Sequence, residues 1–347
     1  MKSVSVIVPF FNDAAFVGQC LDSLLCQTYP RIQIVIVDDG SRPEQALALR
    51  PYERLSKHVK VRCHEGNRGP GAARNTGLDE ADGDFLLFVD SDDYVDQNYV
   101  EVLVTAAERS GGDVVESGVR RVSKDGILVE EYLPSPSTTD MGNSGADEVL
   151  KVREWGVTQK LWARETIAAS GVRFNEGMFW EDIAVVPCWM MSARTIHRVA
   201  YCGYNYRTNA ASITNTIGVK KIVDAVGAFD FAYRSMSVTP ESVRRDFVHK
   251  AFTNFVRYYS GKVRQDASIG KAKKERILSM LNALNRHYAP GNLAFTPAHL
   301  AALDDAIEGS RMVHHRRSQR DSSALEPQLQ TYLLGAIHDC DHVLAER

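Results

Sequence analysis

Three carboxylates, Asp90, Asp92 and Asp93, follow directly on the apolar run FLLFV at 85–89. Like charges this close repel, and more strongly beside a low-dielectric core. Side chains at i and i+2 beyond a strand can instead converge on one hard cation, because Mg²⁺ and Mn²⁺ take oxygen ligands and bridge carboxylates to phosphates. The competing reading is metal-free: Asp92 or Asp93 caps a helix that starts near Gln97. A second acidic pair, Glu181 and Asp182, stands in FWEDIAVV at 179–186. A carboxylate flanked by Phe179, Trp180 and Ile183 is partly desolvated, which raises its pKa towards that of a general base. Its rival role is again a helix cap. A third stretch, GNRGPGAARNTG at 66–77, places free N–H groups and Arg74 at a helix start, where an anion is welcome.

Spacing argues against several other motifs, of which a phosphatase with Asp90 as nucleophile stays open as a third reading. Counting from Asp90, an EF-hand would find its twelfth residue in Glu101, but its fifth and sixth are Tyr94 and Val95, so the glycine turn is missing. A phosphatase of the haloacid-dehalogenase type, with Asp90 as nucleophile, carries its acids on the first strand, whereas here they follow the fourth. The Gly-rich stretch ends GxGxxG on Arg74 and has no Gly-Lys-Ser/Thr, so it is no P-loop.

The elements that would position these groups alternate. Continuous β-branched runs at 4–10 and 32–38, an alternating run at 59–65 and the run at 85–89 read as strands. Between and after them, 14–27, 69–81 and 98–111 read as helices, the first with Phe16, Cys20, Leu21, Leu24 and Leu25 on one face. This rhythm predicts a doubly wound, mostly parallel α/β sheet, whose ligands sit beyond the carboxyl ends of the strands, where the acids at 38–39 and 90–93 lie. Beyond 110 the pattern changes to a hairpin at 112–133 turning at Asp125-Gly126, a loop at 135–145, a mixed stretch to about 215, and then helices.

The chain has 347 residues, 44% of them hydrophobic and 24% charged, with a net charge of −3. That length fits two domains at ~100–200 residues each. The charge argues against a nucleic-acid partner. Six cysteines include no CxxC pair, which points to a reducing compartment without a zinc or redox site. The first residues lack a signal-peptide pattern and no apolar run reaches the ~18 residues of a membrane span, so a soluble protein is expected, at most peripheral to a membrane. The basic run RMVHHRRSQR at 311–320 could touch anionic headgroups or a lipid-linked diphosphate, or be a solvated loop.

Taken in order, VSVIVPFFN, SLLCQTYP, IVIVDDGS, NRGPGAARNTGL, GDFLLFVDSDD, TQKLWARE, GVRFNEGMFWED and YNYRTNAASIT resemble the family-2 inverting glycosyltransferases of the GT-A fold, over about residues 3–215. Departures are small: Cys26 and Gln159 stand where the family often has Asn, and Trp162 where it often has Tyr. The resemblance implies a Rossmann-like GT-A domain at 1–217, with a nucleotide-binding half at 1–110 and an acceptor half at 111–217, followed by a mostly helical region at 218–347. It also implies roles. Pro9 and Phe10 would line the nucleotide base, and Asp39 would accept from the uracil N–H or else cap the turn at Gly40-Ser41. Asn67, Gly69, Gly71 and Arg74 would hold ribose and phosphates, with Ser91 alongside. Asp90 would contact the ribose or the outer shell of a Mn²⁺ or Mg²⁺ ion, whose first direct ligand would be Asp92, assisted by Asp93. Asp182 would be the base and Glu181 its acceptor-binding neighbour, with Lys160 and Trp162 also on the acceptor side. Arg207 and Ser212 would close on the diphosphate.

The activity so implied is metal-dependent transfer of a sugar from a nucleotide-diphosphate donor, UDP first, to a glycan or lipid-linked glycan hydroxyl. The setting would be surface-polysaccharide synthesis on the cytoplasmic side of the membrane. The alternative is a sugar-nucleotide-binding module without turnover. The helices beyond 218 could dock a partner, form a homo-oligomer or lie on a membrane.

Overall fold

The computed structural model describes residues 1–55, 58–151, 155–208, 219–236 and 239–287, so the expectations at Ser212 and 311–320 lie outside the described residues. Strands β1 (Val4–Phe10), β2 (Ile32–Asp38), β3 (Val59–Cys63) and β4 (Phe85–Phe88) run parallel in the order β3-β2-β1-β4. In register, Val4 to Ile7 lie beside Phe85 to Phe88, and Phe10 beside Asp38, so β1 and β2 deliver their carboxyl ends together. Alternation of side chains then divides the strand. Val4, Val6, Val8 and Phe10 join α1 (Val17–Leu25) and α5 (Tyr99–Ser110) in one core. Ile7 faces the other way, towards α4 (Pro70–Glu80). Two short helices, α2 (Pro43–Ala46) and α3 (Arg50–Leu55), lead from β2 to β3.

The second half converts this parallel sheet into a mixed one, of ten strands among the described residues. Antiparallel to β4 runs β9 (Lys160–Ala163), and β6 (Val114–Ser123) is antiparallel to β9. The long β10 (Thr195–Thr208) is parallel to β6, and its far end pairs with β5 (Tyr94–Val95). The expected hairpin is present as β6 with β7 (Leu128–Tyr132), and Gly126 takes φ +82° at its turn.

One expectation fails. The segment 135–145, read as a loop, contains β8 (Ser137–Asp140) and the start of α6 (Met141–Leu150). Its Ser and Thr residues pair antiparallel with Thr195–Arg198 of β10, and the Asp140 carboxylate accepts from Gly142 N at 2.9 Å as a helix cap. The signal was polar because this strand borrows its partner from more than fifty residues away. Helices α7 (Arg164–Ser170) and α8 (Glu181–Ser192) complete this half. Phe88 stacks on Trp189 of α8 at 5.9 Å, and Trp162 and Phe174 meet the same indole edge-on at 5.3 and 5.1 Å. Such pairs each contribute about 0.5–1.5 kcal/mol beyond their buried area.

Two compact units divide the chain, Met1–Asn215 and Thr216–Arg347. Among the described residues the second holds α9 (Val219–Ser235), α10 (Glu241–Gln265) and α11 (Lys271–His287), with Phe229, Phe252, Phe255 and Tyr259 in successive ring contact. Among the described residues no helix is long and apolar enough to cross a membrane.

Close packing of α4 on β1 makes a direct prediction. A Cβ at Gly77 would lie 2.3 Å from Ile7 Cγ2, inside a fully buried contact. Gly77→Ala should therefore destabilise the domain by about 1–3 kcal/mol, read from urea unfolding, despite the better helix propensity of alanine.

Candidate active site

At the carboxyl ends of β1, β2 and β4 one cation gathers the acids. Arg74, 4% exposed on α4, donates from Nη2 to Asp90 Oδ1 at 2.8 Å, and from Nη1 to Glu181 Oε1 at 2.5 Å and Asp182 Oδ1 at 3.4 Å. Burial works against its charge, but Asp182, Asp90 and Glu181 outweigh that and hold the guanidinium charged well beyond the usual Arg range. Its Cζ lies 5.6 Å from the Phe174 ring centroid. Phe174 is itself fixed by Asn75, whose side chain donates to Phe174 O at 2.9 Å and accepts from Phe174 N at 3.0 Å. No Cβ fits at Gly71, where it would meet Asn175 O at 2.4 Å. The GPGAARN sequence thus packs α4 against the backbone leading to the second acidic pair.

Asp182 is not a helix cap. Trp180 occupies the cap position of α8 at φ +65°, with no side-chain cap bond, and Glu181 and Asp182 form the first turn. The Asp182 carboxyl is pushed up to about 7, by burial first and then by Glu181 and Asp90, while Arg74 and the Val157 N–H pull it down. A carboxyl poised there can accept a proton near neutral pH.

Likewise, Asp92 and Asp93 do not cap α5, whose cap residue is Asn98. Asp92 is also pushed up to about 7, by burial and then by the negative charges of Asp90 and Asp13. Asp13, which the sequence reading missed, accepts from the Ser91 hydroxyl at 2.9 Å and is raised by its own burial. Among the described residues no group of three or more His, Cys, Asp or Glu side chains is arranged to hold a metal. The donor set nevertheless suits a hard divalent ion. Carboxylate oxygens are crowded enough that one resists ionisation, and diphosphate oxygens would complete the shell.

Several predicted residues point elsewhere. Asp93 is 1% exposed and turned inward, so it is not placed as a metal ligand: Tyr204 Oη donates to its Oδ2 and Arg207 N to its Oδ1, each at 2.7 Å. Phe10 is 1% exposed in the core shared with α1, so it does not line a base; Pro9 beside it is half-buried. Asp39 accepts from Arg68 N and Gly69 N, the latter at 2.7 Å, and faces His64 Nδ1 at 2.6 Å, while His64 Nε2 lies 2.9 Å from the Thr76 hydroxyl. It therefore shapes the loop from Gly66 to Gly69, and Asp38 takes the turn at Ser41 instead. That loop lines an open cleft of about 450 Å³ with Cys63, His64, Glu65, Gly66, Asn67 and Arg68.

Lys160 and Trp162 are both fully buried, and neither faces an acceptor. Lys160 Nζ donates to Gly156 O at 3.0 Å and pairs with Glu116 at 3.6 Å; Trp162 Nε1 donates to Val157 O at 3.2 Å. Together they hold the carbonyls of Gly156 and Val157, and the N–H of the Gly156–Val157 peptide reaches Asp182 Oδ2 at 3.4 Å. Their strand β9 lies inside the sheet between β4 and β6, and Leu161 between them is buried as well, so both faces of the strand are covered. Arg207 is equally buried: it lies between Phe16 and Tyr94 and donates from Nε to Asp92 O at 2.8 Å and from Nη2 to Gln19 Oε1 at 2.6 Å.

Comparison with known proteins agrees with this geometry. Residues 5–145 match the family model described as Glycosyl transferase family 2. The chain is 32% identical to the uncharacterized glycosyltransferase EpsJ of Bacillus subtilis over 61% of this chain and 62% of EpsJ. It is 26% identical to the uncharacterized glycosyltransferase YibD of Escherichia coli over 61% of this chain and 63% of YibD. It thus spans less than two thirds of the length of each. TarS of Staphylococcus aureus, described as a poly(ribitol-phosphate) β-N-acetylglucosaminyltransferase, is 35% identical over 37% of this chain and 22% of TarS. The crystal structure of TarS 1–349 in complex with UDP-GlcNAc superposes with a TM-score of 0.62 at 17% identity, covering 91% of this chain and 93% of that one. Residues 5–145 are thus similar to glycosyl transferase family 2, and the fold is that of TarS 1–349.

Proposed function

We propose that the protein is an inverting glycosyltransferase that moves one sugar from a nucleoside-diphosphate donor, UDP first, to a hydroxyl of a glycan or lipid-linked glycan in surface-polysaccharide synthesis. The observation that carries this reading is the Asp182 carboxyl, held at about 7 and joined through Arg74 to Asp90. The family match and the UDP-GlcNAc complex of the structurally similar TarS support a sugar-nucleotide donor.

Inversion needs a base opposite the departing diphosphate. In this reading Asp182 takes the proton of the acceptor hydroxyl as that oxygen bonds to the sugar carbon and the bond from this carbon to the diphosphate breaks. Arg74 keeps Asp182 close enough to ionisation for the task, and Val157 N–H orients it. Asn67 and the Gly66–Gly69 backbone, positioned by Asp39, would receive the nucleoside and its phosphates. Asp92, with Asp90 beside it, would hold Mg²⁺ or Mn²⁺, which supplies charge neutralisation for the leaving diphosphate. Glu181, bound to Arg74, would help to bind the acceptor.

A thermal-shift titration tests the binding half. UDP with Mn²⁺ should raise the melting temperature more than either alone, by mass action, and Asp92→Asn should remove that cooperation. Asp182→Asn should keep the shift yet lower turnover on the order of 10²–10⁴-fold; nucleotide binding with no turnover by the unmodified protein on any acceptor would favour a binding module. On the acid side, kcat/KM should fall about tenfold per unit once Asp182 protonates, with its midpoint about pH 7. Because Arg74 favours the charged form of Asp182, Arg74→Lys, which cannot hold all three carboxylates at once, should move that midpoint upward and destabilise the fold by about 1–3 kcal/mol. An unmoved midpoint would sever Arg74 from the base.

A further inference from the structure

We propose that Tyr204, acting with Arg207 on Asp93, is a positioning residue that sets the backbone turn from which Asp90 and Asp92 face the donor. The inference rests on the transferase reading above and adds residues to it. Tyr204 Oη accepts from Asp90 N at 3.2 Å and donates to Asp93 Oδ2 at 2.7 Å, so one oxygen grips the turn at its first and last acids. Asp93 N donates to Asp90 O at 3.0 Å, which closes the turn on itself. Asp93 Oδ1 is filled by Arg207 N at 2.7 Å, and Arg207 Nε takes the carbonyl of Asp92 at 2.8 Å. A further Arg207 bond reaches the carbonyl of Lys124 in the hairpin turn. The two peptide groups that carry Asp90 and Asp92 are thus fixed by Tyr204 and Arg207, both buried.

The same stretch is joined on to residue 96. Tyr204 and Asn205 pair with Val95 and Tyr94, and Asp96 N donates to Gly203 O at 2.8 Å. Asn205 Nδ2 and Arg120 Nη1 both donate to the Asp96 carboxylate, at 3.1 and 2.8 Å. Tyr204 itself has no exposed surface and packs edge-on against Tyr99 at 6.2 Å. A hydroxyl in so dry a place must be fully hydrogen-bonded. Both of its bonds go to the acidic turn, so its loss is felt there and not at the surface. The chemistry separates two kinds of acid within four residues: Asp90 and Asp92 are presented, and Asp93 is the anchor by which they are presented.

Tyr204→Phe deletes a single atom and keeps the ring contact. Calorimetric titration with UDP and Mn²⁺ should show affinity about 5–10-fold weaker, the value of one hydrogen bond. The donor KM should rise in step, with acceptor KM unchanged, a split that general loosening of the fold would not give. Asp93→Asn should weaken UDP binding by a similar factor, and the double variant by no more than the worse single one, because both remove the same contact. Should Tyr204→Phe fail to fold, Asp93→Asn decides alone: a loss well short of that in Asp92→Asn supports the anchor. Unaltered UDP affinity in either variant, additive losses, or an Asp93→Asn loss equal to that of Asp92→Asn would overturn the proposal. Failure of the unmodified protein to bind UDP would instead count against the transferase reading.

Discussion

Asp90, Glu181 and Asp182 at the mouth of the sheet depend on one buried positive charge, that of Arg74. Asp90, Glu181 and Asp182 come from segments ninety residues apart, and without Arg74 they would present three negative charges to one low-dielectric space. Desolvating a lone guanidinium is equally unfavourable, so each side of the arrangement requires the other. The arrangement is also unsymmetrical. Three carboxylates share one cation, and burial first, then the negative charges of Glu181 and Asp90, leave Asp182 reluctant to ionise although Arg74 lies beside it. A structural salt bridge would have been built with charges matched. Surplus acid at a single cation marks a place where a proton, a metal or a cationic substrate is expected to come and go.

The scaffold around it supplies direction. Parallel β1 and β2 end level with one another, Phe10 beside Asp38, while β4 ends at Phe88 beside Ile7, so its acidic turn begins three residues earlier along the sheet. The antiparallel additions do something different: β9 and β10 carry buried polar side chains that reach back under the site. Lys160 and Trp162 secure the loop before β9, and the terminal residues of β10 secure the acidic turn. Left-handed backbone at Asn12, Gln159 and Trp180 lies at three bends near these groups. Such conformations cost of order 1–3 kcal/mol and persist only where the surroundings over-determine them.

What the sequence disclosed, and what it concealed, follows from range. Strand runs, the hairpin at Asp125-Gly126 and the acids at strand ends were legible because each depends on neighbours in the chain. The residues alone left a cap role for Asp182 open, and the structure removes it by placing Trp180 at the cap of α8. Phe10, Lys160, Trp162 and Asp93 were placed in contact with ligands, and in the structure all four face inward. For Lys160 and Trp162 the reason is the place of β9 between β4 and β6, where Leu161 is buried as well; Phe10 turns into the core shared with α1, and Asp93 towards Tyr204 and Arg207, contacts that local composition does not show. Asp13 and Tyr204 gave no signal, because their partners lie 78 and 111 residues away.

The long reach of β10 has a consequence for biosynthesis. The acidic turn appears on the ribosome well before Tyr204 and Arg207, and the strands β1 to β4 that support it can pair at once. Until β10 has been made and inserted beside β6, however, Asp93 has no hydroxyl and no N–H to fold against, and a buried-to-be carboxylate must stay in water. Closing a loop of more than a hundred residues adds little thermodynamic cost but delays folding, since non-local pairings reward the chain only after the ends have met. The nucleotide half of the domain can therefore be shaped early while its acids acquire their final orientation among the last events in folding, so a nascent or truncated chain would hold the strands of the site without its aim.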